Sequence, residues 1–168
     1  NGEKVVDEWY STSWQYKYID TVLKAGEIYE FIVDQFNISG SIGLDLNFET
    51  PLESDPAAIK AYQEADCIVA CLGHNNLSEK ENHDRTFELP NGQIEYLRSI
   101  LKYNKNVVVV LNGGGSIEMA SWIGDVKAVL MAWYPGQQGG QAIAEITTGK
   151  VNPSGKLPCS FEAKWEDN

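Results

Sequence analysis

Long hydrophobic runs, basic residues and cysteines are all scarce in this 168-residue sequence. Unbroken apolar runs such as residues 107–111 and 128–133 are far too short to span a bilayer as helices. Thirteen Lys and Arg stand against 24 Asp and Glu, which gives a formal net charge of −11. Affinity for nucleic acids and anionic lipids depends on basic side chains, so this balance argues against a nucleic-acid or a membrane partner.

The three cysteines are too few for a disulfide framework. Cys67 and Cys71 would share one face of a strand about 13 Å apart, which is too far for a disulfide, so we expect buried free thiols. His74 and His83 are the only histidines and show no regular ligand spacing, even with Asp84 nearby. They are interpreted as exposed loop residues, and no metal or cofactor is predicted. The cellular compartment stays open.

The first part of the chain has the pattern of an antiparallel β segment. Residues 42–48 alternate strictly between apolar and polar side chains, which is the period of a half-buried strand. Residues 18–23 and 27–36 are rich in aromatic and β-branched residues and are separated by Ala25-Gly26, a turn signal. We assign residues 1–52 to the C-terminal part of a β-sandwich.

Residues 53–168 have the pattern of an α/β domain. Helices are predicted at residues 55–65, 91–103, 117–122 and 139–147, and strands at 67–72, 107–111 and 126–133. The continuous apolar runs at 67–72 and 107–111 predict strands buried on both faces. This alternation predicts a mostly parallel sheet with helices on both faces, a partial α/β sandwich. In such sheets function collects in the loops after the strands, which here are residues 73–90, 112–116 and 134–138.

The glycines 113–115 follow a predicted strand, as phosphate-binding loops do. The third glycine of a G-x-G-x-x-G motif would fall at position 118, where Glu118 would repel phosphate. A nucleophile elbow centred on Ser116 needs a glycine at the same position and fails for the same reason. The glycines are therefore interpreted as a tight turn that lets the end of the sheet approach a neighbour or a sugar.

The loop after the first predicted strand carries two closely spaced glutamates, Glu79 and Glu81, before Asp84 and Arg85. Charged loops are usually only solvated, but this one leaves the C-terminal end of a buried strand. A carboxylic acid there can protonate a leaving group if partial burial raises its pKa toward neutrality. The loop is therefore the candidate for acid–base chemistry.

Several of these segments together resemble the C-terminal α/β sandwich domain of glycoside hydrolase family 3, which includes β-glucosidases and β-xylosidases. The resemblance spans about residues 55–162 and rests mainly on two motifs, Ala132-Trp133-Tyr134-Pro135-Gly136-Gln137-x-Gly139-Gly140 and Asn152-Pro153-Ser154-Gly155-Lys156-Leu157-Pro158. Residues 1–52 resemble the end of the protective-antigen-type β-sandwich insert of some members, through Lys24-Ala25-Gly26-Glu27-x-Tyr29.

The resemblance implies a retaining β-glycosidase, most simply a β-glucosidase acting on terminal non-reducing β-D-glycosyl residues. In the family the nucleophile is an aspartate of an N-terminal barrel and the general acid/base is a glutamate of the α/β sandwich. This chain has no room for a barrel, so its expected partners are the remaining part of the enzyme and the glycoside. The isolated chain is expected to be inactive, and no cofactor is implied.

Two alignments of the acidic loop with the family compete. Counting forward from Gly73 favours Glu79 as the acid/base, whereas counting back from Asp84-Arg85 favours Glu81 by analogy with Glu-Gly-x-Asp-Arg. Asn82 stands where that pattern has glycine, which counts against Glu81.

The resemblance also suggests roles for four neighbouring residues. Asp84 and Arg85 are expected to brace the loop through an ion pair, and Trp133 and Tyr134 to line the approach to the sugar. The alternative function is a non-catalytic carbohydrate-binding or assembly module.

Overall fold

The computed structural model describes residues 23–24, 26–32, 52–76, 78–82, 85–90 and 92–167. The chain divides into two compact units, Asn1–Glu49 and Thr50–Asn168. In the first unit Gly26 lies in a turn at a φ of 84°, and the Glu27 N–H donates to the Lys24 carbonyl at 3.2 Å. Residues 27–32 are not in a strand, contrary to the prediction, and Ile28 is exposed. A strand needs a hydrogen-bonded neighbour, and no described residue of this unit supplies one. The rest of the predicted antiparallel segment lies outside the described residues.

The second unit alternates helices and strands. In chain order these are α1 (Pro56–Glu64), β1 (Ile68–Gly73), α2 (Gln93–Tyr103), β2 (Val107–Asn112), β3 (Ala128–Met131) and α3 (Gly139–Thr147), with short 3-10 turns at Leu52–Ser54, Ile123–Asp125 and Trp165–Asp167. The Asp55 carboxylate caps α1 by accepting from the backbone N–H groups of Ala57 and Ala58 at 3.0 and 3.1 Å. Among the described residues no helix is long and apolar enough to cross a membrane.

The three strands form one parallel sheet in the order β1-β2-β3. Ile68 pairs with Val107, and Val108 pairs with Ala128. Each strand returns to the sheet through a crossover, so all three strands end at the same edge. This is the α/β fold that the alternating pattern predicts, and it brings the loops after β1, β2 and β3 together.

One face of the sheet is covered by helices and by the segment before β3. Alternate strand residues such as Leu72, Val109 and Leu111 are buried there against Leu97 and Ile100 of α2. Residues of α1 pack at the margin of this core, and Ile117 and Trp122 are completely enclosed in it. These side chains form the hydrophobic core on which the loops of the site stand.

The opposite face is covered unevenly, which corrects two expectations. Val110 of β2 is fully buried, but Val69 of β1 is 43% exposed and Cys71 is exposed as well. β1 is therefore buried on one face only within the described chain. All three cysteines are free and exposed, which corrects the prediction that Cys67 and Cys71 are buried thiols.

The helix predicted at residues 117–122 is absent. Ile117 and Trp122 are instead buried within an irregular segment that leads into the Ile123–Asp125 turn. The Glu118 N–H donates to the Phe87 carbonyl at 2.9 Å, and the Trp122 indole donates to the Glu118 carbonyl at 2.9 Å. Tertiary hydrogen bonds and burial therefore take the place of helical ones here.

Candidate active site

The site begins where β1 ends, at Gly73. A Cβ at this position would lie 2.1 Å from the Asn112 carbonyl oxygen, so only glycine lets the ends of β1 and β2 come this close. The Gln93 side chain accepts from the Gly73 N–H and donates to the Gly73 carbonyl, both at 2.8 Å. The first residue of the loop is thereby tied to α2.

The Glu79 side chain of this loop accepts three hydrogen bonds. Its Oε1 accepts from the Arg85 Nε at 2.9 Å, and its Oε2 accepts from the Gly114 N–H at 3.0 Å and from the Tyr134 hydroxyl. The side chains of Glu79 and Arg85 are only 18% and 16% exposed. One carboxylate thus joins the loops that follow β1, β2 and β3.

Arg85 extends the connection to the loop after β2. Its Nη2 donates to the Ser116 carbonyl at 2.6 Å, and its Nη1 donates to the Thr86 carbonyl at 3.0 Å. The sequence predicts an ion pair of Arg85 with Asp84, which lies outside the described residues, and the structure gives Arg85 a partner in Glu79. Three directed donors of one guanidinium are therefore in use.

The Gly113–Gly115 turn has no side chains because the network passes directly beside it. A Cβ on Gly114 would lie 3.2 Å from Glu79 Oε1 and 3.2 Å from the Tyr134 ring, and one on Gly115 would lie 2.9 Å from Arg85 Nη2. The neighbour that this tight turn approaches is therefore the Glu79–Arg85 ion pair.

The network controls the protonation of its own members. Burial alone would raise the pKa of the Glu79 carboxyl, but hydrogen bonds from Tyr134 and Gly114 together with the Arg85 charge hold that pKa below its ordinary value. Burial and the hydrogen bond to Glu79 raise the pKa of Tyr134 to about 12. The condition that the sequence analysis sets for an acid, a carboxyl pKa raised by burial, is therefore not met at Glu79 in this chain.

Glu81 lies on the same loop in a different environment. It is exposed and lines an open cleft of about 390 Å³ together with Asn75, Asn76, Glu79, Lys80 and Tyr134. No described residue forms a hydrogen bond or an ion pair with its carboxylate. The two carboxylates of the cleft therefore differ. Both oxygens of Glu79 accept hydrogen bonds, whereas the Glu81 carboxylate is exposed and has no partner among the described residues.

His74 is buried rather than exposed as predicted. The residue is 6% exposed, and neither ring nitrogen has a hydrogen-bond partner among the described residues. Burial, followed by the Arg85 charge, lowers the pKa of His74, so the ring is held neutral beside the network. His83 lies outside the described residues, and the described part of the chain contains no group of three or more His, Cys, Asp or Glu that could hold a metal ion.

Trp133 and Tyr134 occupy different positions, although the sequence gives them the same role. Tyr134 is exposed on the cleft with its hydroxyl on Glu79, whereas the Trp133 ring is half-buried and packs edge-on against Phe161 with 6.0 Å between ring centroids. Trp133 has a φ of 54°, which is rare for a bulky residue. The Asn112 side-chain amide holds this turn by donating to the Trp133 carbonyl at 3.0 Å.

Asn75 and Asn76 are cleft residues that sequence reasoning missed. Asn75 is held in a turn with Ser78, in which the Ser78 N–H donates to Asn75 Oδ1 at 3.2 Å and the Asn75 N–H donates to Ser78 Oγ at 3.0 Å. The available signal was an Asn-Asn pair just after a strand, which is typical of a side-chain-stabilised turn.

The family of the chain follows from comparisons with known proteins. The family model described as the glycosyl hydrolase family 3 C-terminal domain matches residues 2–168. The chain belongs to glycosyl hydrolase family 3. The predicted resemblance is therefore confirmed, and so is the α/β fold that it implied.

The similar proteins are much longer than this chain. Beta-glucosidase BoGH3A of Bacteroides ovatus is 38% identical over 113 residues, which are 66% of this chain and 15% of that enzyme. The exo-alpha-(1->6)-L-arabinopyranosidase of Bifidobacterium breve is 39% identical over 127 residues, 74% of this chain and 16% of that enzyme. The crystal structure of the Bifidobacterium adolescentis family 3 β-glucosidase matches with a TM-score of 0.62 and 39% identity, over 66% of this chain and 16% of that structure.

Proposed function

We propose that this chain supplies the general acid/base carboxylate of a retaining β-glycosidase that acts on terminal β-D-glucosyl residues. One observation carries the proposal. Two glutamates of the loop after β1 line a single open cleft at the C-terminal edge of the sheet, where α/β proteins bind ligands. The names of the similar enzymes, most of which are β-glucosidases, support the substrate class.

The two glutamates are unequal candidates, and we favour Glu81. A general acid must carry a proton and keep an oxygen available for the substrate. Glu79 meets neither condition here, because the Arg85 ion pair and the hydrogen bonds from Tyr134 and Gly114 occupy both oxygens and favour the ionised form. The Glu81 carboxylate is exposed on the cleft.

The backbone of Asn82 removes the objection to the alignment that selects Glu81. Asn82 has a φ of 61°, in the left-handed region where glycine is favoured and asparagine is the best-tolerated alternative. Asparagine in place of the glycine of Glu-Gly-x-Asp-Arg therefore keeps the same turn. The Gly-to-Asn difference is thus compatible with Glu81 as the acid/base.

The proposed chemistry divides into two steps. In the first, a nucleophilic carboxylate bonds to the anomeric carbon while the bond to the aglycone breaks, and the Glu81 proton passes to the departing oxygen. In the second, the Glu81 carboxylate takes a proton from water as that water attacks the anomeric carbon and displaces the nucleophile. Retention of configuration requires the two carboxyl groups to lie about 5–5.5 Å apart.

The nucleophile is proposed to come from a part of the enzyme outside this chain. The chain spans 15% of the Bacteroides enzyme and 16% of the Bifidobacterium enzyme that it resembles. The cleft is open, as expected of one wall of a site that a second domain completes. Enclosure by that domain would exclude water from the reacting groups.

The test is Glu81→Gln in the full-length protein that contains these residues. Hydrolysis of phenyl β-glucoside should fall by about 10²–10⁴ in kcat/KM, because its leaving group needs a proton. With 2,4-dinitrophenyl β-glucoside the rate of the first step should fall far less. Added azide should restore turnover, because it replaces the water that the carboxylate activates. The alkaline fall of the pH–rate profile should disappear.

Glu53→Gln is the matched control, since Glu53 pairs with Lys102 at 2.6 Å and is not among the cleft residues. This variant should behave like the wild type. Unchanged turnover in both Glu81→Gln and Glu79→Gln would contradict the proposal and favour a carbohydrate-binding or assembly module. Loss of the alkaline limb in Glu79→Gln alone would transfer the role to Glu79.

A further inference from the structure

The Glu79 network connects three separate segments of the chain. The carboxylate accepts hydrogen bonds from Arg85 on its own loop, from Gly114, which is 35 residues away, and from Tyr134, which is 55 residues away. Arg85 then binds the carbonyl of Ser116 on the loop after β2. The loops after all three strands therefore share one charged group.

Redirecting Glu79 toward a substrate would disrupt this arrangement. Arg85 would lose its ion-pair partner while its side chain is only 16% exposed, and a poorly solvated charge without a partner is destabilising. The Gly114 N–H and the Tyr134 hydroxyl would lose their acceptor as well. These contacts favour a structural use of the Glu79 charge.

Trp133 shows how Tyr134 reaches the network. A left-handed backbone is costly for a bulky residue and persists only where its surroundings enforce it. Here the Asn112 amide binds the Trp133 carbonyl, and Phe161 packs against the Trp133 ring. The resulting turn follows the end of β3 at Met131 and precedes Tyr134, whose hydroxyl contacts Glu79.

We propose that Glu79 and Tyr134 are positioning residues, which hold the loop after β1 against the two neighbouring loops and thereby place the Glu81 carboxyl at the glycosidic oxygen. This inference rests on the proposed function of Glu81. In this role Tyr134 orients the acid loop, which is the loop after β1 that carries Glu79 and Glu81, and it also lines the cleft. Glu81 itself is proposed as the only proton donor.

The experiment compares Tyr134→Phe and Glu79→Gln in the full-length protein with phenyl β-glucoside as the substrate. Tyr134→Phe removes one hydroxyl and should lower kcat about tenfold, and Glu79→Gln should lower it about 10²-fold, since a displacement of about 1 Å at a catalytic group has effects of that size. KM should change less than kcat. Both variants should keep the alkaline limb of the pH–rate profile and should show no rescue by azide, because the proton donor is still present.

A double-mutant cycle tests the connection itself. Tyr134→Phe should have little further effect in the Glu79→Gln background, because the hydroxyl has already lost its charged acceptor. Tyr96→Phe is the matched control: its hydroxyl lies 2.6 Å from that of Tyr62 and it is not a cleft residue, so its loss should leave kcat unchanged.

The outcomes separate this inference from the proposed function. If Glu81→Gln shows the loss of the proton donor while Tyr134→Phe and Glu79→Gln match the Tyr96→Phe control, the positioning role is wrong and the function stands. If Glu79→Gln loses the alkaline limb and is rescued by azide, Glu79 is the donor and the positioning role is overturned. Additive effects of Tyr134→Phe and Glu79→Gln would also contradict it.

Discussion

Asn82 and Trp133 are the two non-glycine residues with a positive φ in the described part of the chain, and both lie beside the cleft residues Glu81 and Tyr134. Backbone strain of this kind collects at functional sites, where the surrounding structure maintains it. Neither turn shows in hydrophobic periodicity, which reports burial and not local handedness. The two residues therefore carry information that only the structure supplies.

The backbone at Asn82 leads to a test by substitution. Asn82→Gly should keep kcat/KM within about twofold, whereas Asn82→Ala should destabilise the loop by about 1–2 kcal/mol, the usual cost of a left-handed conformation for a residue with a Cβ. We expect Asn82→Ala to lower kcat/KM for phenyl β-glucoside and to increase hydrogen exchange of the loop. Lys105→Ala, which removes an exposed side chain that is not among the cleft residues, is the control. Equal behaviour of Asn82→Ala and Lys105→Ala would contradict a role of the turn.

His74 illustrates a residue whose place the sequence does not reveal. A histidine after a strand and before two asparagines has the composition of a solvated loop. The ring is buried instead, and a Cβ on Gly113 would lie 3.7 Å from its Cδ2. Burial of this kind depends on the fold of the Gly113–Gly115 turn, which comes almost 40 residues later.

The strands and helices were predictable because their periodicity is strong. α3 has the predicted bounds, Gly139–Thr147, and β1 and β2 lie within one residue of their predicted positions. The failures have a common physical origin in tertiary contacts. The Glu118 N–H of the segment at 117–122 donates to Phe87 and the segment does not form a helix, and β3 is shorter at both ends than the strand predicted at 126–133.

The site was predictable in part for the same reason. Parallel strands place their C-terminal loops at one edge, so the loop with Glu79 and Glu81 could be identified before the structure was known. The Arg85 and Tyr134 contacts of Glu79 could not, because they depend on side-chain directions in three irregular segments. Sequence counting alone left the two glutamates almost equivalent, and their different surroundings make them distinguishable.

The turn after β2 provides a test of how tightly the loops fit. Gly115→Ala places a methyl group 2.9 Å from Arg85 Nη2, which is held by the Ser116 carbonyl at 2.6 Å and cannot retreat without loss of that hydrogen bond. We expect kcat for phenyl β-glucoside to fall about tenfold, since the acid loop moves with Arg85. The measurement is steady-state kinetics on the full-length protein.

Gly124→Ala is the matched control for this change, since nothing lies within 4 Å of the Cβ it would add. It should leave kcat unchanged. If Gly115→Ala has the same kinetics as Gly124→Ala, the guanidinium adapts freely and the network does not transmit the displacement to the acid loop.

We expect the α/β unit as a whole to form one wall of a larger structure. β1 is an edge strand of the described sheet, and its residue Val69 is 43% exposed. Isolated sheet edges and apolar faces of this kind are normally covered. Together with the small share of the similar enzymes that the chain spans, this supports the expectation that activity requires further parts of the enzyme.

The corresponding prediction concerns the 168-residue chain alone. It should release no dinitrophenolate from 2,4-dinitrophenyl β-glucoside above the uncatalysed rate, since the covalent route needs the nucleophile. Mixing it with the separately produced remainder of the enzyme should restore hydrolysis. The Glu81→Gln chain, mixed in the same way, should fail to restore hydrolysis of phenyl β-glucoside. Turnover by the isolated chain would show that it holds a complete catalytic pair.

The Glu79 hydrogen bonds, which reach 35 and 55 residues along the chain, also determine when the cleft can form. During translation the ribosome needs about 3–11 seconds to add the residues between Glu79 and Tyr134, at about 5–20 residues per second. Throughout that interval the Glu79 side chain of the nascent chain lacks its hydrogen bond from Tyr134. Tyr134 follows the end of β3 by three residues, so the last strand and the last hydrogen bond to Glu79 become available almost together. A chaperone or protease that meets the chain earlier finds this loop without its Tyr134 hydrogen bond.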